Sequence, residues 1–175
     1  IPESVTIIDP YAFQGCSGLK KVIIPNIAAW CHAWISSNPL EYAHHIYCDE
    51  NTEITNLIIP ENVTSIEPSV FIGCTGLNSV IIPNDVETIS VKAFYNTNLK
   101  SVSMGTGVLS IGKDVFGYDD KSSGSQPVKV TWLTNTPPTG YQYAAGTVNY
   151  VANDQYTQFS NKTVYPFLSS VFEVD

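Results

Sequence analysis

Basic residues are scarce in this chain. Eight Lys plus Arg stand against sixteen Asp plus Glu in 175 residues, for a net charge of −8. Phosphate backbones are bound by clustered cations, so this balance argues against a nucleic-acid partner. It argues equally against electrostatic docking on anionic lipid. No apolar run approaches the roughly 20 residues that cross a bilayer. No basic stretch followed by an apolar one opens the sequence, so no signal peptide is visible. Charged residues make up 14% against 43% hydrophobic, the balance of a folded chain rather than a disordered one. Ser, Thr, Asn and Tyr supply the polarity instead, which suits strand surfaces and turns.

Motifs for chemistry are also missing. There is no Gly-x-Ser-x-Gly elbow, and no Ser or Cys stands beside a plausible His and acid, so the chain is read as no enzyme. No repeated position carries the paired carboxylates of a glycosidase. Cys31, His32, His44, His45 and Cys48 are zinc-ligand types, but their spacing is not that of a finger. Asp49, Glu50 and Glu53 lack the D-x-D-x-[DN]-G framework of a calcium loop and read as a solvated turn. No cofactor or metal is therefore assigned. The four cysteines do not form a close-spaced disulfide framework. Cys16 and Cys74 recur at one repeat position and read as small buried groups, as free Cys commonly is.

What the sequence does contain is a repeat. Residues 59–83, IPENVTSIEPSVFIGCTGLNSVIIP, match residues 1–25, IPESVTIIDPYAFQGCSGLKKVIIP, at 16 of 25 positions. Copying at fixed length is the mark of a solenoid, in which each unit buries its apolar face only against its neighbours. Val5, Val63, Val86 and Val108 form one column, and Ile8, Ile66, Ile89 and Ile111 a second. Phe13, Phe71, Phe94 and Phe116 form an aromatic column that should run single file through the interior. Leu19, Leu77 and Leu99 align likewise, and Gly15 would give a positive φ at a tight corner. The unit holding Phe94 is one residue short and lacks that Gly-Cys corner, so the corner is expected to be lost there.

An insert of about 12 residues separates the first two units. Within it Ile27, Trp30, Cys31 and Trp34 are spaced as one face of a helix, which makes both Trp core residues. Asn38-Pro39-Leu40-Glu41 predicts a second helix with Asn38 as N-cap and Leu40 and Ala43 inward, ending near His45. Residues 45–48 and 53–59 then read as a hairpin whose second arm is the strand of the next coil. Residues 119–127 are loop-like, 128–133 and 147–152 strand-like, and residues 153–159 helix-like, before a last strand at 171–174.

At these motifs the chain resembles the BspA-like, or Treponema pallidum type, leucine-rich repeats of bacterial surface proteins. Their 23-residue unit reads IP..V..I...AF.GC..L..V.IP, and residues 59–83 follow it nearly throughout. The stretches IAAWC and SNPLEYAHH resemble a variant unit, and TNTPP with TVNYVANDQY resembles the family's C-terminal end. The resemblance implies an α/β leucine-rich-repeat solenoid, strand-rich and right-handed, with a parallel sheet on one face. Short helices would lie in the insert and in a C-terminal cap. It also implies a surface or secreted location and a role in adhesion or protein binding, and it brings no catalytic residues. The expected division is a repeat at 1–25, a long variant repeat at 26–60, repeats at 61–83, 84–105 and 106–133, and a cap at 134–175. Ile1 falls inside a repeat, which leads us to expect a longer parent protein.

Strand alternation sets the candidate binding face. If Leu19, Val22 and Ile24 point inward, Lys21 and Ile23 point out. The same rule exposes Asn56 and Ile58, Ser79 and Ile81, Ser101 and Ser103, and Lys129 and Thr131. The result is a stripe of three Ile beside small polar residues, which either marks an interaction surface or only stabilises the ladder. The expected partner is a protein of the host or its matrix. The alternatives are a structural spacer in a larger surface protein and a glycan-binding module with exposed rings among Trp30, Trp34 and Tyr42.

Overall fold

A computed structural model of the protein describes residues 1–112 and 114–116, together with the backbone of residues 128–132 and 172–173. The predicted cap helix, the strand at 147–152 and the loop at 119–127 lie outside the described residues. The repeat pattern folds into about five stacked coils, each contributing two short strands except the second, which carries three. In the first coil these are β1 (Ile7–Ile8) and β2 (Val22–Ile23). The second carries α1 (Ile27–Cys31), β3 (Trp34–Ile35), α2 (Leu40–Ala43) and β4 (Ile46–Tyr47), and leads through residues 48–55 into β5 (Asn56–Ile58). The later coils contribute β6 (Ser65–Ile66) with β7 (Ser79–Ile82), β8 (Thr88–Ile89) with β9 (Ser101–Met104), and β10 (Ser110–Ile111) with β11 (Val128–Trp132). A final strand, β12 (Phe172–Glu173), closes the main ladder.

Stacking in register makes every named strand pair parallel. The main sheet runs β5-β7-β9-β11-β12, and a narrower one runs β6-β8-β10. The first two coils keep their own pairs, β2-β4 and β1-β3. The insert is what splits the ladders. Where β3 would extend to β6, the Glu67 N–H instead donates to the Cys31 carbonyl at the end of α1.

The aromatic column carries the core. Phe71 and Phe94 stack with centroids 5.1 Å apart, and Phe94 and Phe116 follow at 5.7 Å. The Val and Ile columns around them are buried from Val63 and Ile66 onward. Phe13 is half-buried and stands apart from this file, because the insert separates it from Phe71. In the inserted coil the matching place, five residues after Ile35, belongs to the fully buried Leu40.

Two expectations, one for the insert and one for the unit holding Phe94, are corrected. Trp34 is not on a helix: α1 ends at Cys31, and Trp34 begins a strand with its ring 60% exposed, while Trp30 is buried. The 3.6-residue spacing was accidental beyond the fifth helical residue, because the chain must straighten to pair with β1. The corner at residue 96 is also kept, since Asn96 takes φ +54 where Gly15 and Gly73 take +74 and +72. Asn enters the left-handed region more readily than most residues, so the lost Gly costs little there.

α2 is capped as the sequence suggests, although its helical turns start one residue later. Asn38 Oδ1 accepts the Leu40 N–H at 2.9 Å, and His44 ends the helix at φ +62. Asn38 is buried because its amide also crosses to the next coil, donating to the Ser69 carbonyl at 2.7 Å and the Val70 carbonyl at 3.0 Å. Trp30 Nε1 donates to the same Val70 carbonyl at 2.8 Å. These side chains satisfy carbonyls that a regular coil would pair with backbone. Asn38→Ala should therefore destabilise the protein by about 1–3 kcal/mol, the cost of orphaned buried polar groups, measured as a shift in urea midpoint.

Candidate interaction face

The face set by alternation exists along the main sheet. In β5, β7 and β9 the middle rows Leu57, Val80 and Val102 are buried, which turns their neighbours outward. Register aligns Asn56 with Ser79, Ser79 with Ser101, and Ser101 with Lys129. The parallel row runs from Ile58 to Ile81, Ser103 and Thr131. Ile58 is 64% and Ile81 47% exposed, side by side. Ser79 Oγ donates to Asn56 Oδ1 at 2.7 Å, so the polar row is tied across strands. For Lys129 and Thr131 the register is described but not the side chains.

Lys21 and Ile23 do not join this row. They lie on or beside β2, whose partner is β4, with Ile23 opposite Tyr47 rather than Ile58. Ile23 is half-buried, and Lys21 is turned toward the hairpin. Its Nζ donates to the Glu50 carbonyl at 2.6 Å, sits 3.0 Å from Glu50 Oε2 and lies 5.3 Å from the Tyr47 ring centroid. The three-Ile stripe is thus two Ile on one sheet and a third on another. The hairpin between is real but brief: Tyr47 bridges Glu53 antiparallel, and Ile54 N–H donates to the Ile46 carbonyl.

The metal-ligand types are spread among different partners. His44 Nδ1 lies 2.9 Å from the Gly73 carbonyl, His45 Nδ1 2.6 Å from Glu53 Oε1, and His32 Nδ1 3.4 Å from Ser65 Oγ. The four cysteines are free thiols, with Cys31 and Cys74 buried and Cys16 and Cys48 half-buried. Burial pushes the Cys31 and Cys74 thiols up to about 12, with Glu53 adding to the effect at Cys74. A thiol held so high supplies almost no thiolate near neutrality.

Asp49 organises the hairpin turn. Its Oδ1 accepts the N–H groups of Asn51 and Thr52, both at 2.8 Å, and Oδ2 accepts the Thr52 hydroxyl at 3.0 Å. These bonds, led by the one from the Asn51 N–H, hold its carboxyl below the usual 3.8. A depressed carboxyl stabilises the fold above its unfolded pKa and loses that contribution as pH falls through the folded value. The Asp49 side chain should accordingly titrate below 3.8 by carbon-detected NMR. Exchange of the Thr52 amide should quicken only as that group protonates.

With this geometry in place, the repeat can be set beside known proteins. The sequence model for the BspA type leucine rich repeat region matches six copies, over residues 1–38 and 44–127. The chain belongs to that family. No curated protein and no solved structure is similar enough to match. The matched residues take in β1 to β10 and all of the inserted coil except residues 39–43, so the family match and the observed columns coincide. The family motif specifies the buried columns and leaves the outward positions open, and those are where this chain's face is composed.

One exposed feature escaped the sequence reading. Ile7 pairs with Trp34 on the outer side of β1-β3, and they are 61% and 60% exposed. The signal was available in the repeat: the positions equivalent to Ile7 are Ser65, Thr88 and Ser110. An Ile and then a Trp in an otherwise hydroxyl-bearing row mark a departure from the plain ladder.

Proposed function

We propose that the chain is a non-catalytic protein-binding module acting at a bacterial cell surface or after secretion. It meets its partner, a host or matrix protein, with the outer face of the main sheet. The observation that carries this is the adjacent exposed pair Ile58 and Ile81, framed by Asn56, Ser79, Ser101 and Ser103. A flat apolar pair with a polar surround has the composition of an interface centre and rim. The double change Ile58→Ser and Ile81→Ser removes two side chains worth roughly 1.5–3 kcal/mol each when buried. It should weaken partner binding by roughly a hundredfold or more, while the thermal midpoint stays put. The measurement is surface plasmon resonance against a panel of extracellular matrix proteins. If neither form binds any of them, the spacer role gains.

A second reading has its own observation. The exposed Trp34 ring beside Ile7 is the kind of platform on which a sugar's C–H face stacks. In the same assay, glycan capture that Trp34→Ala abolishes and the double Ile change leaves intact would favour the glycan-binding role.

A further inference from the structure

The side of the second coil carries a polar array beside its exposed ring. Trp34 has the first coil next to it through Ile7, and the third coil follows through the Glu67 bond to Cys31. Its exposure therefore belongs to the flank of the stack, not to an end. His32, Trp34 and Ser36 are exposed while Ala33 and Ile35 between them are buried, which sets the three on one side. In the later coils Thr88 and Ser110 stand where Trp34 stands, and Ser90 and Gly112 stand where Glu67 stands. Stacking there needs neither a ring nor a carboxylate.

Ser65 and Glu67 flank the buried Ile66 and meet His32 from the third coil. The Ser65 hydroxyl donates to Glu67 Oε1 at 2.9 Å, and His32 Nδ1 lies 3.4 Å from the same Ser65 oxygen. A carboxylate only accepts, so Glu67 takes the single hydroxyl proton and His32 Nδ1 must be the donor of the second contact. With the proton on Nδ1, Nε2 of the neutral ring is an acceptor. Neither Nε2 nor Glu67 Oε2 has a partner among the described residues. An indole face thus lies close to two open acceptors. Such a surface fits a ligand with an apolar C–H face and hydroxyl donors at its edge. Asp9, exposed two residues beyond Ile7, adds to the negative charge of the surround, in a chain of net charge −8.

We propose that Trp34, His32 and Glu67 form one site for an uncharged pyranose glycan. The sugar's apolar face lies on the indole, and its hydroxyls donate to His32 Nε2 and Glu67 Oε2. A sialylated or sulfated sugar brings anionic oxygens that cannot donate, and it meets like charge at Asp9 and Glu67. This rests on the glycan reading of Trp34 and adds the polar half of the site and the charge of its ligand. The full chain, labelled with nitrogen-15, is titrated with cellotetraose, mannotetraose and tetra-N-acetylchitotetraose, with sialyllactose as the anionic probe and tetralysine as a cationic one. At least one uncharged tetraose should shift the Trp34 indole N–H saturably, and sialyllactose should not. His32→Ala and Glu67→Ala should each weaken that binding by about fivefold or more. None of the three side chains belongs to the buried core, so Tm should hold in each variant. A sugar that needs Trp34 but neither His32 nor Glu67, or equal binding of sialyllactose, would leave the glycan reading standing and overturn this inference. No shift with any sugar would overturn both. Tetralysine shifting the indole where the sugars do not would mean that the ring and its carboxylates take a basic protein segment instead.

Discussion

Phe94→Ala should cost about 3–5 kcal/mol, the range for truncating a large aromatic in a core that cannot fully collapse. Phe94 is the ring with a stacked neighbour on both sides, Phe71 at 5.1 Å and Phe116 at 5.7 Å. Its removal deletes two ring contacts, each worth about 0.5–1.5 kcal/mol beyond the buried area. It also opens a void between coils that rest on each other through backbone ladders. Urea denaturation of wild type and variant gives the difference. Phe13→Ala supplies the internal comparison: that ring is half-buried and outside the stacked file, so its truncation should cost clearly less. Equal losses at the two positions would mean that the column is not what holds the coils together. In a solenoid stability is a sum of coil and neighbour terms. A loss at Phe94 should therefore loosen the coils on both sides, seen as faster amide exchange in β7 and β9.

The same column shows what the sequence could tell and where it stopped. Phe71, Phe94 and Phe116 recur at a fixed offset from Ile66, Ile89 and Ile111, and a fixed offset in a stacked chain becomes a fixed place in space. The period thus revealed the core and the parallel register together. It also revealed which of Ile58 and Ile81's neighbours face outward, because a pleated strand has only two sides. The insert broke the inference, as it replaced period by local pattern. Ile27, Trp30, Cys31 and Trp34 satisfy a helical wheel. A wheel does not register that Trp34 N–H has a better partner in the Thr6 carbonyl, 2.9 Å away on the preceding coil. Tertiary pairing outweighed local periodicity there, and it carried Ile23 away from the stripe by giving β2 to β4. The binding face is less legible for a further reason. Outward positions are under no packing constraint, so nothing in their spacing names a partner.

Backbone crowding between coils yields the other large effect. Gly107→Ala should destabilise the protein by about 3 kcal/mol, at the upper end of overpacking costs. A Cβ built on Gly107 would stand 1.8 Å from the Asn84 carbonyl oxygen and 2.9 Å from its carbon. The obstacle is backbone, which cannot swing aside as a side-chain tip does. The approach is fixed by the turn itself: Asn84 Oδ1 accepts both the Thr106 N–H at 2.9 Å and its hydroxyl at 3.1 Å, clamping one turn onto the next. Where the preceding unit has Pro83 and Asp85, this one has Gly105 and Gly107, and Gly105 is nearly as tight, 2.3 Å from the Pro83 carbonyl oxygen. Gly18→Ala is the control. A Cβ there meets nothing within 4 Å, so the change should be neutral or stabilise by up to about 1 kcal/mol by restricting the unfolded chain. Thermal and urea unfolding should separate the two substitutions by several kcal/mol. Hydrogen exchange should place the damage at Thr106, because relieving the clash requires that turn to lift from Asn84. A Gly107→Ala protein as stable as wild type would show that successive turns sit farther apart than the clamp implies.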